Sequence, residues 1–373
     1  MRRLFICTIA LPLLLSAGNS ALAQKKRSAT PHAPGEDIYK HYTGTIGQRK
    51  VVVDVIYGYQ GASNYGGSHF YDTEKEGVGT LIIYEPATFD HGVPMKASEQ
   101  ADDTTLGDAN GWNETPMPKW DFTIAGENMK GRWHSADGKR HYNIDLSENY
   151  KESVALDLMV VSDTSAERDA SGRRPLKGIT YVGIKPAAAA SNEDAEYVTS
   201  QALEFVNAGD IRDLQQYYRA YTRRYVLEPL PAGAKIFSEQ LYPVYNDNGI
   251  LVLKHEVLMM GGNSIASTFA YLSMDMRSHS RIEPDDMLDV NSAKLAQMLE
   301  SAVRNKYGLA PGVKLSTWLL RDKVPVARNM YPGHKGIFFT YNPGELVKDK
   351  AITVFLSYDQ LSVLNKSFRK RVG

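Results

Sequence analysis

Three groups of residues have types and spacings that could do chemistry. Glu283, Asp285, Asp286 and Asp289 form the densest carboxylate cluster of the chain. Paired carboxylates can divide acid and base roles in glycoside hydrolysis, or hold calcium where they converge, which makes Glu283, Asp285 and Asp286 the catalytic candidates. Their spacing matches no calcium loop, and a position just before a helix suits capping and the helix dipole; the structural reading is favoured. His134 and His141 flank Asp137-Gly138, a two-residue turn signal. Centring the turn there sets the two imidazoles opposite one another, where they could hold a metal if a third ligand approached, or repel when both are protonated. The bland alternative, a solvated pair on a wet hairpin face, is favoured. Tyr341-Asn342-Pro343-Gly344-Glu345 reads as a strand-ending turn, in which Gly344 permits a left-handed backbone. It reads equally as a recognition loop on a rigid sheet, with Tyr341, Asn342 and Glu345 as binding candidates.

His255 alternates with Leu251, Leu253 and Val257 on one strand face. Glu256 points to the other face, so His255 is expected to be a hydrogen-bonded core histidine rather than a base served by Glu256. No G-x-S-x-G elbow, H-E-x-x-H helix, phosphate loop or EF-hand loop occurs, and no cofactor is expected.

The N-terminus reads as an export signal. Arg2 and Arg3 precede an apolar stretch from Leu4 to Leu15, and Ala21-Leu22-Ala23 supplies the cleavage pattern, placing the cut between Ala23 and Gln24. The apolar stretch is too short to span a bilayer, and no later one qualifies. The one cysteine, Cys7, lies inside residues 1–23, so the mature product is expected to have neither a disulfide nor thiol chemistry. With 43 basic and 43 acidic side chains, neither nucleic acid nor an anionic membrane is the expected main partner. The expectation is a soluble periplasmic or secreted protein, long enough to bury a core without disulfides.

The elements that must position these residues follow from periodicity. Residues 24–36 read as a polar, disordered leader. Residues 37–185 read as an antiparallel β domain, with strands at Val51–Tyr57, Gly67–Tyr71, Gly79–Tyr84, Lys119–Ile124, Lys130–Ser135, Arg140–Leu146 and Val154–Val161. Phe89–Asn113 and Ser162–Arg174 read as polar loops. The Asp137-Gly138 turn puts Trp133 opposite Tyr142, Gly131 opposite Ile144 and Met129 opposite Leu146 on an apolar face; Lys130 meets Asp145 and Arg132 meets Asn143 on the other. Gly67–Glu85 loosely echoes Gly131–Glu148. An alanine tract marks a linker at 186–193, and 194–373 reads as an α+β domain with helices packed on an antiparallel sheet.

In that second domain Val198, Ala202 and Phe205, then Ile211, Leu214, Tyr218, Tyr221 and Tyr225, describe two amphipathic helices or one kinked helix. Asn291 is expected to cap a helix carrying Leu295, Met298, Leu299 and Ala302. Ser357 with Gln360 makes a capping box for a last helix bearing Leu361, Leu364 and Phe368. Strands are expected at Gly249–Met260, Ser267–Arg277, Leu315–Arg321, Ile337–Tyr341 and Ala351–Leu356. Tyrosine outnumbers phenylalanine 22 to 11, which suits protein and glycan recognition surfaces, although Tyr218 and Tyr221 sit on core-facing stripes.

The run Tyr271-Leu272-Ser273-Met274-Asp275-Met276, the turn Ser278–Glu283, Asp285-Asp286-Met287-Leu288, and Gly336–Leu346 followed by Ile352–Tyr358 carry a resemblance. Over Tyr245–Phe368 the chain resembles the extracellular domain of unknown function of the RsiV anti-sigma factor, which senses lysozyme; a similar domain accompanies some peptidoglycan deacetylases. The Tyr341-Asn342-Pro343 turn with Glu345 is the most specific part. Asn263-Ser264-Ile265 stands where that family has a glycine-histidine step, and there is no sigma-binding segment, so anti-sigma activity is not carried over. The N-terminal half resembles segments of secreted Bacteroidetes proteins. The resemblance implies a non-enzymatic envelope module that binds a lysozyme-like muramidase or peptidoglycan. The alternative is a cell-wall glycan or peptide hydrolase using the carboxylate cluster or a histidine metal site.

Overall fold

Alternating inward and outward residues build the first half of the molecule. The computed structural model describes residues 38–60, 63–65, 68–72, 78–85, 94–100, 117–166, 178–227, 234–261 and 264–372; the expected export signal and leader lie outside them. Nine strands come first: β1 (Ile38–Ile46), β2 (Arg49–Gln60), β3 (Ser63–Tyr65), β4 (Ser68–Asp72), β5 (Val78–Glu85), β6 (Met95–Gln100), β7 (Lys119–Ala125), β8 (Asn128–His134) and β9 (His141–Glu148). Their order is β1-β9-β8-β7-β6-β5-β4-β2-β3, and β1 also pairs with β2. Eight of them therefore close into an antiparallel barrel, with β3 as a short addition to β2.

An eight-stranded barrel is just wide enough for side chains to fill. Tyr42 and Ile46 of β1, Val51, Val53 and Val55 of β2, and Met95 and Ala97 of β6 meet Trp120, Phe122, Ile124, Met129, Trp133, Ile144 and Leu146 in one buried cluster. The β8–β9 hairpin has the register read from its turn, including Met129 opposite Leu146 and His134 opposite His141. Strand β6 corrects the expected loop at Phe89–Asn113. Met95, Ala97 and Glu99 face inward there, and with a glutamate as its third member the alternation does not stand out as apolar among polar neighbours.

The second sheet contains β10 (Leu156–Thr164), β11 (Gly178–Pro186), β12 (Ala234–Asp247), β13 (Ile250–Gly261), β14 (Ser264–Asp275) and β15 (Ser280–Arg281), in that order. All neighbours are antiparallel except β11 and β12, which run parallel. A parallel step needs a crossover, supplied by α1 (Asn192–Phe205) and α2 (Leu214–Leu227). The two amphipathic stripes are thus two helices. The sheets divide at 149–155 and not at the alanine tract, because β10 and β11 already belong to the second sheet. Ser191, at the end of that tract, is the N-cap of α1 and accepts from Asp194 N at 3.1 Å.

A third, three-stranded antiparallel sheet has β16 (Met330–Pro332), β17 (Gly336–Tyr341) and β18 (Ile352–Ser357). Three further helices, α3 (Pro284–Met287), α4 (Ala293–Lys306) and α5 (Lys366–Val372), accompany it. Tyr331 and Phe338 pack toward the six-stranded sheet, where Tyr331 meets the Tyr271 ring at 4.4 Å. Ile337, Phe339 and Tyr341 face the other way, onto Leu295, Leu299 and Val303 of α4. The class is α+β, with helices on antiparallel sheets as expected.

Three local expectations shift. Leu315–Arg321 is no strand: Leu315–Thr317 is a 3-10 turn, with Leu315 and Leu319 buried four residues apart. Ser292, not Asn291, stands at the N-cap position of α4. The Ser357–Gln360 box forms at 2.9 and 3.3 Å, but the last helix starts only at Lys366.

Candidate functional site

The carboxylate cluster is a capped turn. Glu283 N donates to Asp286 Oδ2 at 2.8 Å, Asp285 meets Arg328 at 3.3 Å, and Asp289 Oδ1 accepts from Asn291 N at 3.1 Å. Asn365 Nδ2 bonds the carbonyls of Asp285 and Asp286. Asp285, Asp286 and Asp289 are thus each turned to a structural partner, which favours the capping reading over the catalytic one for Glu283, Asp285 and Asp286.

Tyr341, Asn342 and Glu345 likewise each have a structural partner, which favours the turn reading. Tyr341 is buried, and its hydroxyl donates to Pro325 O at 2.7 Å. Asn342 Oδ1 accepts from Phe269 N at 2.8 Å while its Nδ2 donates to Phe269 O at 3.0 Å. An amide side chain here copies a strand's backbone pairing and docks the end of β17 onto β14. Glu345 closes the turn by accepting from Asn342 N at 2.9 Å, and Gly344 takes a φ of 87°.

His134 and His141 do meet, with Nδ1 atoms 2.8 Å apart. His134 Nε2 lies 2.9 Å from Asp121 Oδ2. A neutral His134 with its proton on Nε2, facing the carboxylate, accepts at Nδ1 from His141. Among the described residues no group of three ligands is placed to hold a metal.

The same hairpin's inner face builds a different constellation, at the barrel mouth. Glu99 of β6 accepts from both indoles, Trp120 Nε1 at 2.9 Å and Trp133 Nε1 at 2.7 Å, on a single oxygen, Oε1. Trp133 and Tyr142 face each other across β8–β9 and stack, with centroids 5.4 Å apart and planes 26° apart. Arg49, at the start of β2, holds its guanidinium carbon 5.4 Å from the Trp133 centroid and 6.0 Å from that of Tyr142, within cation–π range. Tyr142 stays 38% exposed, while Trp133 is buried.

One glycine shapes this mouth. Gly47, in the β1–β2 turn, has a φ of 63°, and a Cβ there would come within 2.9 Å of the Tyr142 ring. Only a bare backbone lets the phenol lie on the turn. Sequence reasoning placed Trp133 opposite Tyr142 but found neither Arg49 nor Glu99, whose strands meet that hairpin only through the barrel. Lone Trp–Glu pairs carry no spacing signal; an inward glutamate between Ala97 and the β6 end was the one clue.

A second buried polar group lies under α2. His255 Nε2 and Glu239 Oε1 are 2.6 Å apart, and Glu239 is 2% exposed. The histidine is therefore hydrogen-bonded as expected, but to Glu239 on β12. Glu256 faces the opposite side and accepts from Tyr242 at 3.0 Å. Tyr181, Tyr217, Tyr218 and Tyr221 crowd Glu239. Burial, and next the Glu239 charge for Tyr181, Tyr217 and Tyr221, raises these phenols above their usual range; for Tyr218 burial is followed by Tyr217. They stay protonated and are not bases; Tyr217 donates to Val206 O at 3.4 Å and Tyr218 to Ile184 O at 2.6 Å. A third group joins the barrel wall to the sheet: buried Asp54 accepts from Tyr39 and lies 2.7 Å from His41 Nδ1.

No family model matches the chain, and no curated protein matches it. Among solved structures it is similar to a member of the DUF3298 family from Bacteroides fragilis, with 14% identity, a TM-score of 0.49, and coverage of 58% of this chain and 96% of that one. It is also similar to a DUF3298 family protein from Pseudomonas aeruginosa, with 11% identity, a TM-score of 0.44 and the same two coverages.

Proposed function

We propose that this chain is an exported, non-enzymatic binding module of the bacterial cell envelope, periplasmic or secreted, which holds cell-wall glycan at the mouth of its barrel. The carrying observation is the Glu99 carboxylate, oriented by two indole N–H groups beside the Trp133–Tyr142 stack and Arg49. Ligand sites favour barrel mouths, with apolar walls and a few fixed polar groups. A sugar ring offers an apolar face to Tyr142 and hydroxyls to a carboxylate and a guanidinium. The Arg2–Ala23 export pattern supports the address.

The resemblance of Tyr245–Phe368 to a lysozyme-sensing domain favours a muramidase-like protein as a second ligand, bound by the other half of the molecule. Purified sacculi and immobilised lysozyme, each incubated with the mature protein, separate the two. Retention on sacculi should fall about tenfold in Tyr142→Ala and in Glu99→Gln, as expected for a central contact, while lysozyme retention stays unchanged. Failure to bind sacculi sinks the glycan reading. Release of soluble glycan from sacculi during the incubation would replace it with the hydrolase alternative.

A further inference from the structure

We infer that the turn bearing Trp318 and Leu320 docks onto a bilayer containing anionic phospholipid. These two side chains are 50% and 55% exposed, against buried Leu315 and Leu319 on the same turn. The exposure is built in, because the inward places are already filled. Trp318 N and Leu319 N both donate to Leu315 O, at 2.9 and 2.8 Å, and Leu320 N donates to Leu346 O at 2.7 Å. The turn is thereby fixed to the segment that follows β17, and it presents its apolar side chains on a braced backbone.

The surrounding charge supplies the partner's chemistry. Trp318 and Leu320 border a groove of about 390 Å³ whose far wall is Val347, Lys348, Asp349 and Lys350. On the near side Arg321 and Lys323 follow directly, and Lys314 lies 3.9 Å from Asp322. Across 314–323 and 345–350 five cations, Lys314, Arg321, Lys323, Lys348 and Lys350, stand against three carboxylates, Asp322, Glu345 and Asp349, in a chain whose basic and acidic residues balance at 43 each. An indole with a polar N–H edge suits the headgroup level, a leucine inserts below it, and flanking lysines meet anionic headgroups. Protruding apolar side chains ringed by cations fit a fluid surface better than an acidic peptide, which needs a pocket for its own side chains. This inference does not depend on the glycan reading, since the barrel mouth contributes none of these residues.

The test uses the full mature chain and two sets of vesicles, phosphatidylcholine alone and phosphatidylcholine mixed with phosphatidylglycerol. Co-sedimentation is expected with the mixed vesicles only, with a blue shift of tryptophan emission, and weakens as salt rises. The pair Trp318→Ser with Leu320→Ser, and separately Lys348→Glu with Lys350→Glu, should each reduce the bound fraction about tenfold. All four positions lie outside the buried core, and circular dichroism checks that both variants fold. Equal binding to the two vesicle sets, or variants that bind like the parent, would overturn the inference. So would self-association of the chain that Trp318→Ser abolishes while vesicles are ignored, or binding of soluble polyglutamate as tight as that of the mixed vesicles.

Discussion

Asn246 Nδ2 donates to the Tyr39 hydroxyl at 2.8 Å, joining residues 207 positions apart across the seam between barrel and six-stranded sheet. The same amide satisfies both backbone groups of Val154, its Oδ1 accepting from Val154 N and its Nδ2 donating to Val154 O, each at 2.8 Å. Tyr39 passes its own proton to buried Asp54 at 2.7 Å. One side chain therefore holds the interdomain segment and the barrel wall together. Asn246→Ala strands both backbone groups of Val154 and removes the donor to the Tyr39 hydroxyl, and should cost about 1–3 kcal/mol. Urea unfolding of a Trp318→Ser background, followed by tryptophan emission, to which buried Trp120 and Trp133 of the barrel contribute, and by far-ultraviolet circular dichroism should show an earlier midpoint and two transitions that no longer coincide. A midpoint that does not move would refute the seam's importance.

Gly47→Ala attacks the barrel mouth through the backbone. A left-handed residue with a Cβ is strained by about 1–2 kcal/mol, and the new atom meets the Tyr142 ring besides. Thermal melting should report the loss, and displaced Tyr142 should change the emission of its stacking partner Trp133. Melting like that of the parent would mean the turn relaxes freely.

The buried phenols set the alkaline limit. Folded Tyr181, Tyr217, Tyr218 and Tyr221 hold their protons above the unfolded value of 10.0, driven first by burial. Above that value the unfolded chain binds fewer protons than the folded one, so this contribution is intact below about pH 10 and is lost as pH rises further. Stability measured by urea titration should fall steeply above about pH 10, and phenolate absorbance should appear together with unfolding. In Tyr217→Phe the alkaline limb should flatten. An unchanged limb would mean that other groups control it.

At the acid end the C-terminal helix is the sensitive part. Arg371 grips Asp275 with Nε at 2.7 Å and Nη2 at 3.2 Å, and also bonds the carbonyls of Asn248 and Gly249. Burial works against the Asp275 charge, but the Arg371 hydrogen bond and backbone donors outweigh it and hold the carboxyl below its usual 3.8. The stabilisation is present above the unfolded value and is lost as pH falls through the folded one. Asp275→Asn should cost about 1–3 kcal/mol at neutral pH and flatten the acid limb; hydrogen exchange should speed up first in α5. Equal exchange in parent and variant would contradict this.

The facing histidines should prove dispensable. His141→Ala removes a solvent-exposed partner, for which a change within about 0.5 kcal/mol is expected. Elemental analysis of the native protein should find no stoichiometric zinc. One zinc per chain, lost in His141→Ala, would restore the metal reading.

What could be read from sequence tracks how far apart the interacting residues lie. The β8–β9 register was legible because Asp137-Gly138 fixes a local turn and a one-residue slip would mix the two faces. The α1 and α2 stripes were legible for the same reason, since Leu214, Tyr218 and Tyr221 repeat at helical spacing. Closure of β1 onto β9 was hidden, because no pattern in Ile38–Ile46 names a partner so distant. Glu239 and His255 sit on neighbouring strands, but Glu239 lies in a stretch whose strand was not anticipated, so its partnership could not be foreseen. The candidates singled out for chemistry, Asp285, Asp286 and Asn342, are polar groups at element ends, where capping explains the same residue types.

The closed barrel has a consequence for how the molecule assembles. Lys40 and Glu148, 2.6 Å apart at the β1–β9 junction, are separated by 108 residues. The β1–β2 hairpin can form early, yet the other side of β1 stays unpaired until the final barrel strand arrives. Such non-local closure is slow because the loop entropy is lost before the contacts form, and an open strand edge invites pairing with another chain in the meantime. The first barrel strand to be made is therefore the last to be completed, and the stretch between the two events is when this protein is most exposed to aggregation.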